Sequence, residues 1–179
     1  MHNSNASGGG GGGGGGSLSA TVRVRRGDSF ATVVGTGGAA GISGLPTTVT
    51  GPNGLILVAG GGTTSATNNG GTGGTATITP GTGTVILASV TMSGQNGSDV
   101  TPLGLTGFTF PAYGGVGGGS SLVCAGGASP GASGTQTGGL FGGGGSGVSL
   151  SGTPDQNTPA TAGADGCVII TYTQTLPCV

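Results

Sequence analysis

Short windows of alternating or continuous apolar residues recur along this chain, and none has the spacing of an amphipathic helix. In the first window, Val22 and Val24 point to one side while Arg23 and Arg25 point to the other. β-Branched windows of this length predict strands. The predicted strands cover residues 20–25, 30–34, 55–58, 75–79, 84–90 and 167–172.

Turn residues separate these windows. Residues 26–29 (Arg-Gly-Asp-Ser) predict a turn that joins the first two strands into a hairpin. The same residues contain an integrin-type tripeptide, but strands on both sides favour an ordinary hairpin turn. Residues 51–54 (Gly-Pro-Asn-Gly) and Pro80-Gly81 predict two further turns.

Glycine-rich stretches fill the chain between the predicted strands, and the longest unbroken run covers residues 8–16. The 179 residues include 49 Gly and 9 Pro without a strict triplet repeat. Because glycine loses much backbone entropy on ordering, such a run orders only if neighbouring segments hydrogen-bond to its peptide groups. The threefold extended helix, which rises about 3.1 Å per residue, permits that packing.

These patterns together predict the fold class. We expect an all-β protein with little or no α-helix, in which short strands are layered with polyglycine II-type glycine-rich segments. Residues 8–179 would form a single glycine-rich β domain, and residues 1–7 a flexible polar lead.

Charge is scarce, which narrows the classes of partner. Seven residues are charged, the net charge is −1, and the three cations lie within residues 23–26. Disordered chains need more charge to stay solvated, and nucleic-acid binding needs many more phosphate contacts. No apolar run has the length of a membrane span, and residues 1–7 lack the pattern of a signal peptide. We therefore expect no nucleic acid partner, no membrane insertion and synthesis in a cytoplasm.

The residues that could carry catalysis are few. The chain has no lysine for a phosphate-binding loop, and its one histidine is His2. Residues 35–40 match a dinucleotide loop loosely but are not followed by a helical pattern. Asp165, in the turn at residues 163–166, is expected to cap backbone amides. We expect no enzymatic activity, no cofactor and no metal.

Three cysteines, Cys124, Cys167 and Cys178, cannot all pair within one chain. Their spacing matches no zinc site. Because a cytoplasm keeps thiols reduced, we expect three free thiols. One disulfide with a spare thiol is the alternative.

Four segments resemble the glycine-rich domain of bacteriophage tail-fibre and other virion proteins. They are the opening glycine block, a strand–turn–strand–glycine unit, an apolar strand entering a glycine cluster, and the closing Gly-Ala-Asp-Gly-Cys-Val-Ile-Ile-Thr-Tyr motif, at residues 8–16, 22–38, 55–62 and 163–172. The chain departs from the family pattern at Arg26, where proline is common. It also lacks the strand that usually precedes the opening glycines.

The resemblance implies a virion protein that is made in the host cytoplasm and contacts other virion proteins. The chain is also similar, more loosely, to the tail-fibre adhesins of T-even-like phages. That similarity implies a fibre tip that binds a host cell-surface receptor. The resemblance also implies a homo-oligomer, and a trimer would match the threefold symmetry that is common in fibres. By analogy with these adhesins, the loops that would bind the receptor are residues 68–74, 94–113 and 153–161. Their binding-capable residues are Asn68, Asn69, Asp99, Phe108, Phe110, Tyr113, Asp155 and Asn157.

Other interpretations remain open from the sequence. Phe108 and Phe110 are also suited to an ordinary core. A capsid decoration or head-fibre protein would share the same composition. An ice-binding protein of the glycine-helix type is a more remote alternative, because such proteins space glycine regularly and this chain does not.

Overall fold

The computed structural model describes residues 10–65, 69–99, 141–144, 149–150, 157–158 and 161–173, and these form antiparallel sheets. The strands are β1 (Ser17–Val22), β2 (Ala31–Val33), β3 (Thr47–Thr50), β4 (Ile56–Ala59), β5 (Ala76–Thr79), β6 (Ile86–Met92), β7 (Ser149–Leu150) and β8 (Asn157–Thr158). The described part of the chain contains one 3₁₀ turn, Pro52–Gly54, and no helix that could span a membrane. The predicted all-β class is confirmed.

A four-stranded sheet with the order β2-β3-β4-β5 forms the larger layer. Val49, Leu57 and Ile78 are paired across three of its strands. Residues that lie opposite each other in antiparallel strands share a face, so these three make an apolar row. The neighbouring row, on the other face, contains Thr48 and Thr77.

The turn between β3 and β4 carries the fully buried apolar side chain of the described residues. Asn53 and Gly54 have positive φ angles of 58° and 85°, which reverse the chain within the predicted Gly-Pro-Asn-Gly turn. Gly51 N donates to Leu55 O at 2.8 Å. Leu55 is 0% exposed, and the ring of Phe30 lies beside Gly51.

The second sheet pairs β1 with β6, from Ser17 opposite Met92 to Val22 opposite Ile86. The predicted hairpin between residues 20–25 and 30–34 is therefore wrong in its pairing. Arg23 N continues the β1–β6 ladder by donating to Val85 O at 2.9 Å. Strand windows identify strands, but they do not identify a partner that is distant along the chain.

The structure differs from the predicted strands at two further segments. β3 was not predicted, because its Thr-Thr-Val-Thr sequence has a single apolar residue. Residues 167–172, predicted as the closing strand, form no ladder with the described residues. The β-branched composition of that segment is correct for a strand, yet a partner edge is missing among the described residues.

Candidate functional site

The segments that connect the strands lie side by side beyond one end of the sheets. We call them the glycine rods, and they comprise residues 10–16, 35–38, 43–46, 60–65, 69–75, 93–99, 141–144 and 161–166. Rod 10–16 leads into β1, and rod 93–99 follows β6. Because the strands alternate in direction, the rods also alternate, and they join the sheets at one common end.

Rod 10–16 lies among four neighbours, and its hydrogen bonds recur every three residues. Gly13 and Gly16 donate to rod 60–65, and Gly11 and Gly14 donate to rod 93–99. The bonds are Gly13 N to Thr63 O at 3.0 Å, Gly16 N to Gly60 O at 2.8 Å, Gly11 N to Ser98 O at 3.0 Å and Gly14 N to Gln95 O at 2.9 Å. In a helix with three residues per turn, amides three residues apart face the same neighbour, which is the spacing of these donors.

Rod 69–75 approaches rod 10–16 so closely that no side chain fits between them. Gly71 N and Gly74 N donate to Gly11 O and Gly14 O at 2.7 and 2.8 Å. A Cβ atom on Gly13 would overlap the carbonyl of Thr72. The same overlap would occur three residues to either side, at Gly10 with Asn69 and at Gly16 with Thr75.

Side-chain oxygens add to the backbone hydrogen bonds between two pairs of rods, 69–75 with 93–99 and 35–38 with 161–166. Asp99 Oδ1 accepts from Gly70 N at 2.7 Å, and Asn96 Oδ1 accepts from Gly73 N at 2.9 Å. Asp165 Oδ1 accepts from Gly37 N at 2.7 Å. Asp165 therefore caps a backbone amide as predicted, but the amide lies in rod 35–38 and not in a turn at residues 163–166.

Sequence reasoning missed Asn96, although a signal for it exists. Residues 94–99 read Gly-Gln-Asn-Gly-Ser-Asp, so a side-chain acceptor occupies every third position. Residues 163–165 read Gly-Ala-Asp in the same pattern. In these two rods a Gly-x-Asn/Asp triplet therefore supplies the side-chain acceptors, whereas the same triplet at Gly51-Pro52-Asn53 lies in a turn.

The ends of the rods that point away from the sheets form what we call the distal end. The structure brings two of the predicted binding residues together there, since Asp99 bonds to Gly70, next to Asn69. Both residues are exposed. Thr161, the last residue of the predicted loop at 153–161, begins rod 161–166 on the side of this end, because Gly166 N donates to Gly35 O beside the sheet while Gly163 N donates to Gly38 O farther out.

The other predicted binding residues are distributed differently. Asn157 lies in β8, where its backbone pairs with that of Leu150 in β7. The remaining five, Asn68, Phe108, Phe110, Tyr113 and Asp155, lie outside the described residues. Their roles remain predictions.

The turn at residues 26–29 lies at the opposite end of the sheets from the rods. Asp28 Oδ2 accepts from Arg25 N at 2.7 Å, and Asp28 N donates to Arg25 O at 3.1 Å. Gly27 has a φ of 95°. Arg-Gly-Asp-Ser is therefore a turn, as predicted, with its carboxylate bonded to the turn itself, but it joins strands of two different sheets and is not the hairpin turn that was expected.

A wide apolar space, which we call the inter-sheet cleft, lies between the two sheets. Its volume is about 1070 Å³. β1 contributes Leu18 and Val22, the larger sheet contributes Val49 and Leu57, and residues 167–173 line it as well. Arg23 and Tyr172 are the titratable side chains among the described lining residues, and the apolar side chains outnumber them, so the cleft is suited to apolar packing.

Cys167, at the edge of this cleft, is disulfide-bonded. The expectation of three free thiols is therefore wrong, and the alternative with one disulfide applies. Cysteine spacing along a chain does not report which thiols the fold brings together. Within the described residues, no three metal-binding side chains gather.

Comparison of the chain with protein-family models, with curated proteins and with solved structures finds no match. Its function is therefore inferred from the geometry of the rods, the sheets and the distal end.

Proposed function

We propose that this chain is a non-enzymatic bacteriophage virion protein, and specifically a tail-fibre tip adhesin that binds the host cell surface. It works without a cofactor, next to other virion proteins. The observation that carries the proposal is the glycine-rod array, which holds the distal end on backbone hydrogen bonds and places Asn69 beside Asp99.

The rods are best explained as polyglycine II-type helices. Bonds from rod 10–16 recur every three residues toward each of two neighbours, as in Gly11 and Gly14. That interval is the turn of the threefold helix. Packing of this kind connects each rod to several others and makes the array stiff without a large apolar core.

A stiff array suits an adhesin because it holds loops in place before they bind. Ordering a loop at the moment of binding lowers affinity, so a scaffold that fixes loop ends in advance preserves it. Two rods end at Asn69 and Asp99. The segment predicted as a binding loop at residues 68–74 is, from residue 69 on, itself a rod, so its exposed end at Asn69 is the part available for binding. The predicted loop at residues 94–113 begins as rod 93–99. Many copies per particle then convert weak single contacts into firm attachment.

The chain's lack of charge supports a surface that binds by shape and hydrogen bonding. The described carboxylates, Asp28, Asp99 and Asp165, each accept a hydrogen bond from a backbone amide. Each therefore has a structural use. Among the described residues, no pair of carboxylates is therefore left free to act as a catalytic acid and base.

Competition with phage adsorption tests the proposal. Purified chain, added to host cells before the phage that encodes it, should slow adsorption. The double variant Asn69→Ala/Asp99→Asn should compete less well, since it changes two exposed distal side chains while the new amide oxygen still accepts from Gly70 N. Ser29→Ala, an exposed change in the opposite turn, should compete like the wild type.

Immunogold labelling of the same virions separates the possible locations. Gold at the tail-fibre tip is the expected result. Gold spread over the head would move the function to capsid decoration. Absence of label, together with absence of competition, would overturn the virion assignment.

A further inference from the structure

The three cations of the chain, Arg23, Arg25 and Arg26, lie together in an exposed segment that follows β1. We call residues 23–26 the arginine cluster. The cluster lies at the opposite end of the sheets from the distal end, because β1 starts where rod 10–16 ends and runs away from it. The positive charge of the whole chain is therefore concentrated at one end.

Hydrogen bonds fix the backbone that carries two of these arginines. Arg23 N donates to the carbonyl of Val85, directly before β6, at 2.9 Å. Arg25 N donates to Asp28 Oδ2 at 2.7 Å, and Asp28 N donates back to Arg25 O at 3.1 Å. The guanidinium groups therefore extend from a backbone that is ordered before any partner binds, and this lowers the entropy cost of recognition.

The chain cannot neutralise the cluster with its own carboxylates. Asp28 is the acid in the same turn, and it leaves residues 23–28 with a net charge of +2. Asp99 and Asp165 are bonded to backbone amides within the rods. Asp155 is the fourth and last acidic residue of the sequence, and it supplies one negative charge wherever it lies. Positive charge thus stays uncompensated at the cluster.

A second copy of the chain would not supply the missing negative charge either. It would bring the same four acidic side chains, three of which are bonded to backbone amides. It would also bring three more arginines. The partner that fits the cluster is therefore a different molecule, with several negative groups of its own.

We propose that the arginine cluster is a docking site for an acidic surface of another protein. Arginine forms two parallel hydrogen bonds with a carboxylate, and it is enriched in protein interfaces. A folded acidic surface presents carboxylates at separate positions, so it can pair with the guanidinium groups and leave a gap at Asp28. The proposal goes beyond the adhesin function, since the cluster lies at the other end of the sheets from Asn69 and Asp99.

Phosphate polyanions fit the cluster less well. Nucleic acids gain their affinity from many phosphate contacts, and three arginines supply few. Anionic lipid surfaces recognise basic clusters of about four to eight residues. The Asp28 carboxylate, which is fixed in the same turn, also repels a continuous row of phosphates that covers the cluster.

Titration of a labelled poly-L-glutamate peptide with the purified full chain, followed by fluorescence anisotropy at physiological ionic strength, tests the proposal. The wild type should bind, and added salt should weaken the binding, because exposed ion pairs are screened. The triple variant Arg23→Gln/Arg25→Gln/Arg26→Gln should raise the dissociation constant about tenfold or more, as expected when paired charges are removed from an interface. The matched control is Ser29→Gln, an exposed change in the same turn that keeps every charge and should bind like the wild type.

A triple lysine variant at the same positions separates loss of charge from misfolding. It keeps the three positive charges and lacks the planar guanidinium fork. It should bind the peptide more weakly than the wild type and more tightly than the glutamine variant. A lysine variant as weak as the glutamine variant would contradict docking through charge.

Two other results would overturn the proposal. One is a wild-type chain that binds the peptide no better than the glutamine variant does. The other is tighter binding to duplex DNA or to phosphatidylglycerol vesicles than to the peptide, through the same arginines, which would assign the cluster to phosphate groups. These measurements use neither phage nor host cells, so their failure is distinct from a failure of the proposed adhesin function.

Discussion

Substitution of one glycine in rod 10–16 by alanine tests whether backbone contact between rods stabilises the fold. We choose Gly13→Ala, because Gly13 is buried and its Cβ would overlap the carbonyl of Thr72. The neighbouring atoms are backbone and cannot rotate away. Rods 10–16 and 69–75 must therefore move apart to admit the methyl group.

The magnitude follows from the bonds that cross this gap. Separation stretches Gly71 N to Gly11 O and Gly74 N to Gly14 O, which are 2.7 and 2.8 Å long. A buried hydrogen bond left unmade costs about 1–3 kcal/mol. With two bonds affected, we expect the free energy of unfolding to fall by about 3–5 kcal/mol. For a chain of this size that corresponds to a fall in Tm of about 10 °C.

Gly15→Ala is the matched control, in the same rod. The atom nearest its Cβ would be Gly142 O, at 3.4 Å, which is an ordinary contact. Alanine also restricts the unfolded chain, so Gly15→Ala should be neutral or stabilising by about 0.4–1 kcal/mol. The effect on the unfolded state is common to both variants, and their difference isolates the contact between rods.

Urea unfolding followed by far-ultraviolet circular dichroism measures both variants, with the denaturant slope compared to detect changes in the unfolded state. Equal stability of Gly13→Ala and Gly15→Ala, within about 0.5 kcal/mol, would refute close backbone packing of the rods.

Three further predictions concern single side chains. Thr47 Oγ1 accepts from the buried Gly35 N at 2.9 Å, so Thr47→Val should destabilise the chain by about 1–3 kcal/mol in urea unfolding, while Thr47→Ser should retain most of the stability. Asp165→Ala removes the cap on Gly37 and should cost about 1 kcal/mol by the same assay; an equal loss in Asp165→Asn, which keeps an acceptor, would contradict the capping role. Thiol titration of the unreduced chain in denaturant should find one free thiol per chain, because the disulfide at Cys167 uses a second of the three cysteines, and a count of three would contradict the bridge.

Local features of the fold could be predicted from the sequence. β4 and β5 lie within one residue of their predicted windows, and the turn at Asn53-Gly54 lies where proline and glycine predict it. The capping role of Asp165 was also predictable, because a short carboxylate beside glycine readily bonds to the backbone. The strands and the turn depend on residues that are close along the chain, whereas the amide that Asp165 caps belongs to the distant Gly37 and could not be named from the sequence.

Features that depend on distant residues could not be predicted. β1 pairs with β6, and about seventy residues separate the two strands, so no pattern in either window reveals the other. Residues 167–172 have the composition of a strand, but composition does not supply a partner edge. At the candidate site, the adjacency of Asn69 and Asp99 depends on rods that pack only after the whole array has formed.

The three-residue interval in rod 10–16 has a consequence for how this protein can evolve. Any single-base change at the first or second position of a glycine codon replaces the glycine, and at Gly10, Gly13 or Gly16 the new side chain would meet a backbone carbonyl. Selection should therefore remove most missense changes inside the rods. A change at exposed Asn69 meets no such barrier. Sequence diversity in descendants of this gene should collect at the distal end, while the glycine rows stay fixed over the same period.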